Sequence, residues 1–311
     1  MRVELSEVVR NLKDNPAAFV AECEARYAAQ VDAAAKQIIY NIDHNHIVLV
    51  SGPSGSSKTT TSKRIAAALN RLCVTAHIVS MDNYYKTIDP KDCPRTPEGE
   101  IDYESPDCLD TELLNHHFDV LEEGGEILIP HFNFTFQRRE EGRVTPMRLG
   151  RNDIAIFEGI HALNPIFTSA HPNALKLFVS PETALCDGGE DVITGADLRL
   201  VRRLIRDDFF RGADPAFTLG LWDNIRRGEA LHILPYRPSA DIVIDTALPY
   251  EPAALIHFTG HLLGRVPETT KNFGLLQDAL RAFPAFPPID LDLVPRDSLL
   301  REFIGGSVFE Y

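Results

Sequence analysis

The sequence predicts an α/β domain with a mostly parallel sheet flanked by helices, and three observations carry that prediction. Short β-branched apolar runs alternate with helical patterns, the spacing of strands joined by helical crossovers. The first of these runs leads through a Gly/Ser loop straight into a helix, which is the opening of a βα unit. The 311 residues are 44% hydrophobic and 24% charged, enough for a sizeable core and unlike a disordered chain.

Taken in order, residues 17–40 (AAFVAECEARYAAQVDAAAKQIIY) are Ala-rich, with apolar groups three and four apart, and predict a helix packed on the outside of the domain after it. Residues 46–50 form a β-branched strand, and residues 59–72 (TTTSKRIAAALNRL) a helix. Further buried strands are expected at 77–80, 126–129, 154–157, 175–179 and 242–244, with helices at 109–122 and 197–210 between them. The Pro- and Gly-rich stretches 90–99 and 187–195 read as surface loops. These elements divide the chain into a helical N-terminal extension (1–44), a central domain (45–250) and a tail, helical and then Pro-rich, packed on it (251–311).

Lys and Arg total 31 against 45 Asp and Glu, a net charge of −14. So acidic a chain is a poor sequence-independent ligand for nucleic acid, which draws on surplus basic residues. No apolar run approaches the roughly 20 residues that span a bilayer, and the N-terminus carries no signal-peptide core, so no membrane partner and a cytoplasmic location are expected. Five scattered cysteines without a C-x-x-C pair read as reduced thiols. Asp43-His44-Asn45-His46 is not taken as a metal site, since adjacent strand residues point to opposite faces. Whether copies of the chain associate is left open.

The sharpest local signal is the run from Ser51 to Thr60, SGPSGSSKTT. On the phosphate-binding pattern G-x-x-x-x-G-K-[ST] it matches Gly52, Lys58 and Thr59, with Ser57 where the second glycine belongs. In such a loop the successive N–H groups of Ser54, Gly55, Ser56, Ser57, Lys58, Thr59 and Thr60 curl round a phosphate, and the next helix presents its positive end. Lys58 would reach the β- and γ-phosphates of ATP, and the Thr59 hydroxyl would ligate Mg²⁺. Ser57 still offers its N–H, but is strained if the position needs a glycine-only conformation. The next strand ends at Met81-Asp82-Asn83-Tyr84-Tyr85, where strand ends of an open α/β sheet meet the ligand crevice. Asp82 there could accept a proton from a substrate hydroxyl while sitting near the metal. Glu158 closes the strand at 154–157 and would emerge at the same edge, in reach of Mg²⁺ through water.

The ordered set of Gly52–Thr60, Met81–Tyr85, Asp102-Tyr103-Glu104, Pro130-His131-Phe132-Asn133-Phe134, Phe157–His161 and Arg202–Asp207 resembles the uridine kinase/phosphoribulokinase family of P-loop kinases over roughly residues 45–250. EGIHALN (158–164), WDNIRRGE (222–229) and SLLREFIGGS (298–307) point to its bacterial uridine kinase-like branch. The resemblance implies that ATP and a small-molecule hydroxyl acceptor, most of all the 5′-hydroxyl of uridine or cytidine, are the substrates. It implies that Asp82 is the base and Tyr85 an aromatic beside the sugar. Asp102, with Glu104 as the near alternative, would grip sugar hydroxyls, and Phe132 and Phe134 would hold the base. Gln137 stands where the family has a histidine, and Arg139, or less well Arg138, matches a following arginine. These departures bear on base recognition.

Arg199, Arg202, Arg203 and Arg206 recur at i, i+3, i+4 and i+7, one helical face, with Arg211 beyond. In an acidic chain that stripe suggests an anionic ligand, whose phosphate oxygens suit planar guanidiniums; Asp207 and Asp208 offer the alternative of a solvated salt-bridge face. With the phosphate loop it reads as a lid, about 187–232, and the resemblance points to Arg203, Arg206 and Arg211 as the phosphate contacts, Arg206 catalytic among them. Two other readings remain: a kinase of the same architecture for a sugar phosphate or unusual nucleoside, using Arg95, Arg138, Arg139 and Arg143, and a degenerate nucleotide-binding sensor kept alive by Ser57.

Overall fold

The computed structural model describes residues 1–311 except 88, 90, 92 and 311; the expected 90–99 loop therefore lies partly outside the described residues. The chain opens with β1 (Arg2–Glu4), α1 (Leu5–Asp14) and the 26-residue α2 (Pro16–Asn41), of which the sequence pattern indicates only α2. Then come β2 (Ile47–Ser51), α3 (Lys58–Arg71), β3 (Thr75–Ser80), α4 (Thr111–Glu122), β4 (Glu126–Asn133), β5 (Arg138–Arg148) and β6 (Asp153–Glu158). Next are α5 (Pro165–Thr168), β7 (Leu175–Ser180), β8 (Ala184–Asp187), β9 (Glu190–Ile193), α6 (Gly195–Phe210), α7 (Pro215–Gly220) and α8 (Trp222–His232). The last elements are β10 (Ile242–Asp245), α9 (Glu251–Arg265), α10 (Phe273–Leu280) and the one-turn α11 (Arg301–Ile304).

The main sheet is parallel throughout, in the order β10-β7-β2-β6-β3. Every residue of β2 is buried, and its side chains alternate between two cores. Ile47 and Leu49 join Phe157, Phe178 and the inner faces of α4 and α5, while Val48 and Val50 join Ile154, Ile156, Val179 and the helices α2, α3, α6 and α9. Helices on both faces explain why the central strands β2, β6 and β7 read as apolar runs, whereas β3 and β10, expected buried, lie at the sheet's edges and bury only Val79 and Ile244. β2 and β3 are separated by β6, and the chain crosses to the other side of β2 when it returns as β7. The strand order thus switches beside β2, where open sheets of this kind leave their ligand crevice.

Two further expectations are corrected. The segment 126–129 is a strand, but β4 pairs antiparallel with β5 outside the parallel sheet. Its residues alternate between buried and partly or fully exposed from Glu126 to Ile129, so it is covered on one side only. The segment 187–195 is not all loop: β9 pairs with β8, and with β1 they form a three-stranded sheet. Residues 187–232, read as a lid, divide between this hairpin, α6, α7 and α8. The start of α6 is fixed by a capping box between Thr194 and Asp197, and Leu198, Val201, Leu204 and Ile205 seal it into the core. Among the described residues, no helix is long and apolar enough to cross a membrane.

Candidate active site

β2 delivers the chain to a loop whose shape depends on two glycines. A Cβ at Gly52 would lie 2.0 Å from the Val179 carbonyl oxygen, and Gly55, at φ +75°, would put one 2.9 Å from the Arg199 carbonyl oxygen. Ser57, in place of a glycine, sits in the left-handed region at φ 66°, ψ 35°. For a side-chain-bearing residue this costs about 1–2 kcal/mol. The hydroxyls of Ser56 and Ser57 are buried without a hydrogen-bond partner. α3 begins at Lys58, so its positive end faces the loop. Lys58 arches back to donate from Nζ to the Pro53 carbonyl at 3.2 Å. Burial pushes its pKa down, and Glu158 and Asp82 pull it up.

The acidic groups come from neighbouring strand ends. Glu158 is the last residue of β6, opposite Val50 of β2 and Ser80 of β3, and Asp82 lies two residues beyond Ser80 in a 3-10 turn capped by the Ser80 hydroxyl. Thr59 Oγ1 donates to Glu158 Oε1 at 3.2 Å. Burial, reinforced by the charge of Asp82, raises the Glu158 pKa to about 7. Burial raises Asp82 too, opposed by Lys58 and Arg211. The two desolvated carboxylates and the Thr59 hydroxyl are hard oxygen donors, and burial raises both carboxyls even with Lys58 nearby, so Thr59, Glu158 and Asp82 fit a divalent ion such as Mg²⁺.

Asp82, Glu158, Thr59, Arg206, Arg211 and Phe134 border one cavity of about 690 Å³. A smaller one of about 130 Å³, over the phosphate loop, adds Ser54, Gly55, Ser57 and Lys58. The arginine stripe faces this loop, but its members differ. Arg199 pairs two-pronged with buried Glu229 (2.5 and 2.9 Å) and donates to the Ser54 carbonyl at 3.0 Å. Arg202 pairs likewise with buried Glu251 (2.9 and 2.5 Å) and donates to the carbonyls of Gly55 and Thr246. These two hold the loop from behind. Arg203 donates to Ser54 Oγ at 2.7 Å and pairs with Asp207 at 3.3 Å; Arg206 lies between Asp207 and Glu302; Arg211 is 3.9 Å from Asp207.

The expected acceptor residues fall into three places. Tyr85, Phe132 and Phe134 cluster, with ring centroids 5.0–6.1 Å apart. Asp102 and Glu104 border a separate cavity of about 540 Å³ with Arg203. Asp102 is engaged by Arg227 at 2.6 Å, whereas Glu104 Oε2 is buried and unpartnered, and burial raises that carboxyl to about 7 against Arg203. Gln137 sits at the tip of the β4–β5 turn, at φ 49°. Arg139 clamps the hairpin to the 3-10 turn, pairing with Asp110 at 2.9 Å and donating to the Tyr84 carbonyl at 3.0 Å. His46 and Asn45 are engaged locally, with Asp153, Ile47 and Glu122. Sequence reading missed Glu302, Lys63, Phe210 and Phe309, which border the main cavity. Lys63 and Phe210 lie in helices that the sequence predicts, at 59–72 and 197–210, and Glu302 lies in SLLREFIGGS.

Residues 47–249 match the phosphoribulokinase / uridine kinase family. A uridine kinase of Deinococcus deserti is 29% identical over 210 residues, which are 67% of this chain and 90% of that protein. A uridine kinase of Schizosaccharomyces pombe is 28% identical over 82% of this chain, which spans about half of that longer protein (53%). Among solved structures, D-glycerate 3-kinase from Cryptococcus neoformans aligns with a TM-score of 0.43 at 14% identity, over 65% of this chain and 87% of that one.

Proposed function

From the premise that this chain belongs to the phosphoribulokinase / uridine kinase family and is a phosphotransferase with a hydroxyl acceptor, we propose that it moves the γ-phosphoryl group of ATP to the 5′-hydroxyl of uridine or cytidine in the cytoplasm. The observation that carries this reading is the meeting of Lys58, Thr59, Asp82 and Glu158 on one cavity, at the ends of adjacent strands. Amides of the loop and the Lys58 ammonium neutralise the triphosphate, Arg206 and Arg211 offset charge that develops in transfer, and Asp82 accepts the acceptor's proton. Thr59 and Glu158 would hold Mg²⁺, which would supply Lewis-acid neutralisation of phosphate charge.

The aromatic cluster Tyr85-Phe132-Phe134 supports a planar base on the acceptor. Of the arginines that a sugar phosphate would need, Arg139 is committed to Asp110, Arg143 pairs with Glu140 at 2.6 Å, Arg138 stacks on Phe136, and Arg95 donates to the Gly99 carbonyl at 2.6 Å. Those engagements favour an uncharged acceptor. The test is ADP release from Mg-ATP across a panel of nucleosides, sugars and sugar phosphates. Uridine or cytidine should lead the panel, and Asp82→Asn should cut turnover by about 10²-fold or more while ATP affinity holds. A sugar phosphate leading the panel would replace the proposed acceptor. ATP binding with no acceptor-dependent ADP would mark a sensor.

A further inference from the structure

The C-terminal segment lies beyond the residues that match the family, yet it reaches the main cavity. Glu302, on α11, accepts from Thr60 Oγ1 at 2.5 Å across 242 residues of sequence, and from Arg206 Nη1 at 3.4 Å. Its side chain is only 8% exposed, so this carboxylate has left water for those two partners. Asp207 Oδ1 holds the other edge of Arg206, through Nε at 3.3 Å and Nη2 at 3.2 Å. A guanidinium carries five N–H donors; with three engaged, two remain for a ligand in the cavity.

The segment is anchored rather than draped. Phe303 and Ile304 are buried, and the Phe303 ring lies under the guanidiniums of Arg202 and Arg206, 5.3 and 5.9 Å away. Arg301 donates to the carbonyls of Leu291, Val294 and Gly305. Gly305, at φ +82°, turns the chain so closely against Phe210 that a Cβ would lie 2.9 Å from its ring. Gly306, Ser307, Phe309 and Glu310 then line the same cavity as Thr59 and Asp82.

We propose that residues 301–310 form one wall of the nucleotide cavity, with Glu302, anchored by Thr60, a positioning residue that aims Arg206 at the phosphates, and Phe309 an apolar contact for the nucleotide's base. This rests on reading the loop at 52–60 as the phosphate site. Held by carboxylates on both edges, Arg206 keeps one orientation before ligand arrives, so binding need not order it. Without Glu302, the guanidinium is free to fold onto Asp207 alone.

The experiment is Mg-ATP binding by calorimetry, with KM and kcat, on full-length Glu302→Gln, Glu302→Asp, Phe309→Ala and Lys58→Ala. Glu302→Gln should weaken Mg-ATP about tenfold, the scale of a lost charge-assisted hydrogen bond, and lower kcat as well. Glu302→Asp should recover part of both. Phe309→Ala should raise KM with kcat unchanged, and it stands as the test if the Glu302 variants do not fold. Parent-like affinity in Glu302→Gln and Phe309→Ala, with Lys58→Ala impaired, overturns the proposal alone. Tighter Mg-ATP binding by Glu302→Gln also overturns it, because the segment would then be a plug. If Lys58→Ala is parent-like, the phosphate-loop reading itself fails.

Discussion

Glu158 shows how one residue can serve the site at a cost to the fold. Its carboxyl is raised from 4.5 to about 7, chiefly by burial and then by Asp82, so between those values the folded state holds a proton that the unfolded state has lost. Stability from this group is therefore greatest at low pH and declines as pH rises through that window. Glu158→Gln, with no charge to bury, should melt higher than the parent at about pH 8 without nucleotide, and the gap should close toward pH 4.5. A variant that melts lower than the parent at about pH 8 would mean that the ionised carboxylate stabilises the resting fold. Ser57 is a second such residue: its left-handed backbone and buried, unbonded hydroxyl are a strain kept at the loop proposed to cradle phosphate.

At the scale of elements, α6 is the connection between phosphate loop and core. Its stripe of arginines serves two ends, with Arg199 and Arg202 bonded to loop carbonyls and buried glutamates, and Arg203 and Arg206 reaching the cavities. Periodicity revealed the stripe but not this division, because Glu229 and Glu251 come from α8 and α9 and carry no spacing relation to α6. Glu251→Gln should remove about 3–5 kcal/mol of stability, since Arg202 is left as a buried unpaired charge. ATP affinity should fall with it, because Arg202 also holds the Gly55 carbonyl. Denaturant unfolding and calorimetry would check both; a loss below about 1 kcal/mol, far under the cost of an orphaned buried charge, would show that Arg202 finds another partner.

For the molecule as a whole, the extensions are part of the core. Tyr27 and Val31 of α2, Val48 and Val50 of β2, and Phe283, Phe286 and Phe303 near the end share one apolar cluster. Glu24 of α2 accepts from Tyr250 and Ser298 and lies 3.6 Å from Arg64, joining four parts of the chain; its burial raises the carboxyl pKa. Each large side chain uncovered by cutting forfeits about 1.5–3 kcal/mol, against a total of about 5–15 kcal/mol for a typical domain. A fragment of residues 45–250 should therefore fail to fold cooperatively, as circular dichroism and sedimentation would show. A monomeric fragment with a sharp melt would make the extensions dispensable.

Much of the fold and part of the site were legible without coordinates. The central strands β2, β6 and β7 were readable as apolar runs, the edge strands β3 and β10 as shorter β-branched stretches, and the phosphate loop because its chemistry is local, with a glycine, a lysine and a threonine at fixed offsets before a helix. Asp82 and Glu158 came with them, since strand ends in such a sheet meet at one edge. The one-sided hairpin β4–β5 was misplaced because four half-buried residues look like a buried strand. The partners of Arg199 and Arg202, the separation of Asp102 and Glu104 from the main cavity, and the arrival of Glu302 beside Thr60 were decided by tertiary structure alone. Their reason is common: a contact between residues dozens to hundreds apart leaves no period in the sequence, and only the closing of the core brings such groups into one low-dielectric place where they must be paired.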